Sequence, residues 1–384
     1  MQTLLTVLLG IIALGWVIQL ARVGRGMSRL PRLGDFAPLP DAECPSVSLL
    51  VAGRDEAEKL PRALESLAQL DYPKLEIVAV NDRSKDATGE LIEAAARANQ
   101  RLRGIHVREL PPGWLGKPHA LQQAYEASSG EWLLFTDADV RFAPDVLRRA
   151  MAMALERGYD HLPLMIRTDI HGFWEAAAIT CWMLNFLMFV EPWQATNPRS
   201  KKFIGIGAFQ LIRRSVYQAI GTHRRLALEV VDDIKLGKMV KQGGFRGGIA
   251  AAEDRLGIRW HEGLGNIIRG LTKNSFAFLG YNLAFALAGT ISQLAFSVLP
   301  FLALPLTSGF AQVFAGIAVV CATGGQAVIA RHAKVSPLYG LTHPVGACIM
   351  TYSLLRSTAV TLWRGGVVWR DTFYPLAELR KGIV

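Results

Sequence analysis

The start of this chain restricts its fold more than any other stretch, because Met1 to Leu20 carries no charged residue. The run is long enough to cross a bilayer. A backbone in hydrocarbon must satisfy its own polar groups, which leaves a helix as the form of a single spanning segment. No basic residue precedes the apolar core. Arg22, Arg25, Arg29 and Arg32 follow it without a small-residue cleavage site. That pattern reads as a retained anchor, not a cleaved secretory signal. The positive-inside rule then places the N-terminus outside and the following chain in the cytoplasm.

Three further apolar runs follow Phe276, at roughly 281–305, 310–330 and 341–363. The loop between the last two holds Arg331, His332 and Lys334, and counting crossings puts it inside. The same count puts the tail outside, yet the tail carries Arg364, Arg370, Arg380 and Lys381. Arg356 stands within the last run, a costly residue unless it faces protein or water. That run reads either as a span or as a re-entrant or surface-lying segment. The expected organisation is an anchor at 1–22, a cytoplasmic domain at 45–265 and a membrane region at 266–384.

A net charge of +10 would suit nucleic acid, but the basic residues are spread along the chain and many flank apolar runs. Anionic headgroups are the better match, and no nucleic-acid partner is expected. Cys44, Cys181, Cys321 and Cys348 form no CxxC pair, so neither a zinc site nor a disulfide framework is predicted.

Between Cys44 and about Arg259, short apolar runs alternate with amphipathic stretches, the pattern of a mostly parallel sheet covered by helices. The predicted strands are Val47–Ala52, Ile77–Val80, Ile105–Val107 and Glu131–Thr136. Predicted helices cover Ala57–Leu70, Ala87–Ala98 and Ala120–Ala127, the last after a Gly/Pro-rich loop from Leu110 to Pro118. Polar residues therefore collect at successive strand ends: Arg54 and Glu56, then Asp82, then Lys117 nearby, then Asp137 and Asp139. In open α/β sheets ligands bind outside the carboxyl ends of the strands. Asp137-Ala138-Asp139 there can grip one divalent cation and leave coordination sites for phosphate oxygens. Taken alone the motif reads first as a solvated Asp turn. Neither GxGxxG nor GxxxxGK[ST] occurs at a strand-to-helix turn, which removes the usual dinucleotide and P-loop readings.

The order of these pieces resembles the family 2 glycosyltransferases, from about Ser46 to Asn274. The matching strings are Leu50-Val51-Ala52-Gly53-Arg54-Asp55-Glu56, Val80-Asn81-Asp82-Arg83-Ser84-Lys85-Asp86, Gly116-Lys117, Thr136-Asp137-Ala138-Asp139 and Val231-Asp232-Asp233-Ile234-Lys235-Leu236-Gly237. Gly113-Trp114-Leu115-Gly116-Lys117 and the flanking apolar runs look like the lipid-acting branch, such as ceramide glucosyltransferases and carotenoid- and hopanoid-associated enzymes. The resemblance implies a GT-A fold and inverting, metal-dependent transfer from a nucleotide-diphosphate sugar to a lipid hydroxyl. Ala52, Arg54, Glu56, Asp82, Lys117 and Asp137 would bind the nucleotide donor. A carboxylate such as Asp82 can accept the N3–H of uracil, which favours a UDP-sugar. Asp139, with Asp137 directly or through water, would hold Mg2+ or Mn2+. Asp233 would be the general base and Asp232 its neighbour.

Where many members carry Q/RxxRW, this chain has Arg255-Leu256-Gly257-Ile258-Arg259-Trp260, one residue too long. Trp260, or the pair Arg269 and Lys273, would clamp the diphosphate. A processive polysaccharide synthase and a non-catalytic membrane scaffold are the alternatives. The aromatic-rich stretch 172–190 reads as an interfacial helix, or else as a buried core helix. Phe203 to Ala208 reads as a Gly-spaced strand open to a bulky ligand. His119, His171, His223 and His261 lack metal-ligand spacing and are expected to be structural.

Overall fold

Four runs rich in Val, Leu and Ile become parallel strands in this computed structural model, which describes residues 2–384. They are Val47–Gly53 (β1), Leu75–Asp82 (β2), Leu102–Val107 (β3) and Trp132–Asp137 (β4). β1, β2 and β4 bury residues on both faces, as strands covered by helices must. The sheet runs β3-β2-β1-β4 and continues through Gln210–Arg213, His161–Met165 and Ala250–Ala251. Gln210–Arg213 is antiparallel to β4, so the sheet is mixed and mostly parallel, as expected. Leu50, Val80, Leu133, Phe135 and Leu236 share one buried cluster beside it.

β1 has β2 on one side and β4 on the other, so the chain reverses its direction of travel across the sheet there. That switch leaves a crevice at the carboxyl edge. Register fixes what lines it, because Ala52 lies opposite Val80 on one side and Asp137 on the other.

The chain divides into two units. The sheet unit comprises Leu30–Thr168, Pro192–Arg259 and Ala377–Val384. The other comprises Met1–Arg29, Asp169–Glu191 and Trp260–Leu376. Asp169–Glu191 lies within the stretch expected for the catalytic domain, yet it groups with the apolar helices.

Among the described residues, five helices are long and apolar enough to cross a membrane: Gln2–Ser28, Gly172–Gln194, Leu283–Ala303, Gly309–His332 and Pro337–Arg364. The second contains the stretch 172–190, read above as an interfacial helix or else as a buried core helix. Its residues Ala176–Cys181 and Leu184 are buried, and Ala178 and Ile179 pack with Ile267 and Leu271. Gly346 permits close helix approach here, since a Cβ on it would lie 2.7 Å from the Ala177 carbonyl oxygen. Arg356 in the last run is not left unpaired, because its Nη1 donates to Thr272 Oγ1 at 2.8 Å.

Two helices start away from their predicted positions. Ala57–Lys59 is a turn, and the helix runs Leu60–Ala68. The Ala57 amide is held by Asp86 Oδ2 at 3.0 Å, which fixes the loop against its neighbour. The next-but-one helix begins early, at Gly116, and runs to Glu126. Pro118 in its first turn costs nothing, because the amides there have no intrahelical partner. Lys117 is consequently a first-turn residue and not a loop residue.

Phe203–Ile206 is not a strand. Its glycines serve a different need, which is contact with the helix Asp232–Gln242. A Cβ on Gly205 would sit 1.8 Å from the Asp233 carbonyl oxygen, and one on Gly237 would sit 1.9 Å from the Ile204 carbonyl oxygen. Gly205→Ala is therefore expected to destabilise the protein by about 2 kcal/mol or more. Gly247→Ala, where a Cβ meets nothing within 4 Å, is the neutral control. Thermal melting of the two variants checks this, and equal melting temperatures would contradict the packing argument.

Candidate active site

The crevice is built from loops that brace one another. After β1, the Asp55 amide donates to Ser84 Oγ at 3.0 Å and the Glu56 amide to Thr88 Oγ1 at 2.9 Å. In return Asp55 Oδ1 accepts from the Lys85 amide at 2.7 Å. Asp55 and Arg83 both adopt positive φ, 54° and 56°. Such left-handed turns at non-glycine residues persist only where surrounding bonds enforce them.

Asp82 closes β2 and is 4% exposed. Arg83 grips it through two bonds, Nε to Oδ1 at 2.7 Å and Nη2 to Oδ2 at 3.0 Å. A Cβ on Gly116 would collide with Asp82 Oδ2, so glycine there lets the helix start approach the strand end. Ala52 and Arg54 stand at the end of β1, and Arg54 Nε is buried without a hydrogen bond.

Lys117 is the centre of charge. Its Nζ lies 2.6 Å from Asp137 Oδ1 and 3.9 Å from Asp232 Oδ1. Burial alone would lower its pKa, but the charges of Asp137, Asp232 and Asp233 outweigh that and raise it. The lysine is thus held as a cation between the DxD and the second acidic pair.

Asp232 and Asp233 open their helix, as expected of carboxylates near a positive helix end. Asp233 Oδ1 accepts from the Ile234 amide at 2.8 Å, and Oδ2 accepts from the Gly207 amide at 3.0 Å. A Cβ on Gly207 would lie 2.7 Å from Asp137 Oδ2 and 3.2 Å from Asp233 Oδ2. Both acidic motifs therefore converge on this glycine, which Thr136 steadies by donating to the Ala208 carbonyl at 2.8 Å. Burial first, then the charge of Asp232, pushes Asp233 up to about 6, with Lys117 pulling the other way.

Asp139 is pushed up to about 7, by burial and then by Asp137 and Glu56, although Lys59 lies 3.9 Å away. Crowded carboxylates of this kind gain from a divalent cation, so Asp137 and Asp139 fit one. Among the described residues no three His, Cys, Asp or Glu side chains form a metal cluster by themselves. A cation here would therefore need further ligands from phosphate oxygens, as hard cations in nucleotide sites commonly have.

Trp260, Arg269 and Lys273 belong to the helical unit. Trp260 packs on Trp182 with ring centroids 4.3 Å apart, Arg269 donates to Asn266, and the Lys273 ammonium lies 3.7 Å from the Trp369 ring centre. His223, which sequence reasoning set aside, lies with its Nε2 3.7 Å from Asp232 Oδ2. No motif or spacing in the chain signals that contact.

Residues 48–221 match the sequence profile of Glycosyl transferase family 2. A 4,4'-diaponeurosporenoate glycosyltransferase of Staphylococcus haemolyticus is 22% identical over 195 residues, covering 50% of this chain and 51% of that protein. A beta-monoglucosyldiacylglycerol synthase of Trichormus variabilis is 29% identical over 145 residues, covering 37% and 28%. The chain spans about half, or less, of the length of these curated relatives. A mannosyltransferase from Pyrobaculum calidifontis, solved in complex with GDP-Man and Mn2+, superposes with a TM-score of 0.55. That likeness, at 19% identity over 93% of this chain and 99% of that one, bears out the expected GT-A fold. Residues 48–221 are a glycosyl transferase family 2 domain.

Proposed function

We propose that this protein transfers a sugar from a UDP-sugar to a lipid hydroxyl, with inversion, at the cytoplasmic face of a membrane. The observation that carries the reading is Lys117 held between Asp137 and Asp232 at the carboxyl edge of a family 2 sheet. Ala52, Arg54, Glu56 and Asp82 line the place of the nucleoside. Asp82 offers an acceptor for a uracil N–H, and Lys117 a point charge for the base or the diphosphate. Asp137 and Asp139 would hold Mg2+ or Mn2+. When bound, that cation offsets the charge that builds on the leaving diphosphate.

Asp233 takes the proton of the acceptor hydroxyl as its oxygen attacks the anomeric carbon. The new carbon–oxygen bond forms opposite the bond to the diphosphate, which breaks and leaves as UDP. A lipid acceptor is supported by the two relatives named above and by the five helices, among the described residues, long and apolar enough to span. The basic residues after the first helix support a cytoplasmic sheet unit by the positive-inside rule.

The test incubates the purified chain in lipid with a panel of UDP- and GDP-sugars and Mg2+ or Mn2+, with lipids read by mass spectrometry. Expected is one added sugar per lipid from a UDP-sugar, lost when EDTA removes the metal. A ladder of longer products indicates a polymerase instead. Unchanged turnover in EDTA refutes the role given to Asp137 and Asp139.

A further inference from the structure

The second acidic pair rests on a buried device that the proposed chemistry does not use. Tyr217, His223 and Asp232 are all buried, at 0%, 2% and 3% exposure. The Tyr217 hydroxyl lies 2.6 Å from His223 Nδ1 and also accepts from the His223 amide at 2.9 Å. An amide nitrogen only donates, so among the described residues the hydroxyl proton has one hydrogen-bond acceptor, Nδ1. With Nδ1 accepting, the ring proton sits on Nε2. That is the nitrogen facing Asp232 Oδ2 at 3.7 Å.

The backbone is held in an unusual form to place this ring. Thr222, just before His223, has φ of 59°, a conformation that a β-branched residue rarely adopts. Its side chain accepts from the Arg224 amide, which locks the turn. The imidazole then packs against Phe135 of β4, with ring centroids 4.9 Å apart. Strain of this kind persists only where the surrounding structure over-determines it.

We propose that Tyr217 and His223 are positioning residues. The tyrosine hydroxyl fixes the imidazole with its proton on Nε2. That N–H faces the Asp232 carboxylate across 3.7 Å, longer than a hydrogen bond, as an electrostatic contact that keeps the carboxylate between His223 and Lys117. Asp232 so held keeps Lys117 shared between the two acidic motifs. It also leaves the neighbouring Asp233 carboxylate facing Gly207. The inference rests on the reading of Asp232 and Asp233 as the acceptor-side pair, and extends it to a support that no motif encodes.

Two measurements on the full chain test it. In the first, His223→Phe keeps the ring volume beside Phe135 but removes the N–H, while His223→Gln restores an N–H on a flexible chain. Expected is a fall in kcat on the order of 10²-fold for the phenylalanine variant, as for a small misplacement of a reacting group. KM for the nucleotide-sugar stays within about threefold, as expected when uniform ground-state binding is untouched. The glutamine variant recovers at least about tenfold of the loss, because an N–H dipole again faces the Asp232 carboxylate. Melting temperatures report folding separately. Equal kcat in the phenylalanine variant and the parent, or no recovery with glutamine at matched melting temperature, overturns the proposal.

In the second, histidine-selective 15N labelling reads the tautomer of His223 by NMR. Expected is Nε2–H in the parent and a mixture in Tyr217→Phe. Nδ1–H in the parent overturns the proposal. If the parent itself turns over no nucleotide-sugar, the reading of the acidic pair fails, while the tautomer still judges the positioning claim.

Discussion

Asp233→Asn removes about 10²–10⁴-fold of turnover, the usual worth of a positioned general base, and leaves UDP binding close to that of the parent. The separation is expected because the asparagine oxygen can still accept from the Gly207 amide, as Asp233 Oδ2 does now. Its NH2 then takes the place of Oδ1 beside the Ile234 amide, so the variant loses one bond at the first turn of the helix Asp232–Gln242, and its melting curve reads that cost separately. What disappears is the ability to take a proton. The pH profile gives the sign. The base must be ionised to act, and burial, followed by the charge of Asp232, holds Asp233 at about 6. Turnover should thus fall about tenfold per unit as pH drops below about 6 and level off above it. Asp232→Asn takes away the neighbouring negative charge, so its acid limb moves to lower pH. Steady-state rates between pH 5 and 8, with melting curves for each variant, decide the matter. An Asp233→Asn protein that keeps more than about a tenth of parental turnover is not one that has lost its base.

Strand ends were the legible part of the site. A parallel sheet puts all its carboxyl ends on one edge, so apolar runs that close in Asp82 and Asp137 declare their neighbourhood without further information. Lys117 was readable as a nearby cation, but its place in a first helical turn was not, because Pro118 masks the helix start. Gly205 and Gly207 misled for a physical reason. Their spacing resembles a strand that a ligand approaches, whereas the approaching body is a helix near Asp233, many residues later. Gly172–Val190 left the interfacial and buried-core readings open when taken alone, because the apolar helices that cover its buried face come far later in the chain. His223 was invisible for the same reason as those glycines. Its bond to Tyr217 is local, but the contact that gives it meaning is tertiary.

Asp139→Asn is expected to make the metal-free protein more stable while depriving it of the cation. Asp139 stands at about 7 in the folded chain against an ordinary 3.8, raised by burial and by the charges of Asp137 and Glu56. A carboxyl whose folded pKa is raised contributes fully below its unfolded value and loses that contribution as pH rises through the folded one. At pH 8 the ionised parent therefore carries a penalty on the order of 2–4 kcal/mol. The asparagine variant escapes it, and its melting temperature should exceed the parent's by several degrees at pH 8. Near pH 4 both side chains are largely neutral and the difference should close. Adding Mg2+ or Mn2+ with UDP reverses the order at pH 8. The parent gains stability by mass action, and the variant, lacking the carboxylate, does not. Melting curves in chelator at pH 4 and 8, then with metal and UDP at pH 8, read all three steps. A variant that melts below the parent in chelator at pH 8 would mean that Asp139 is a structural carboxylate. One stabilised by metal and UDP as strongly as the parent would mean that the cation is held elsewhere.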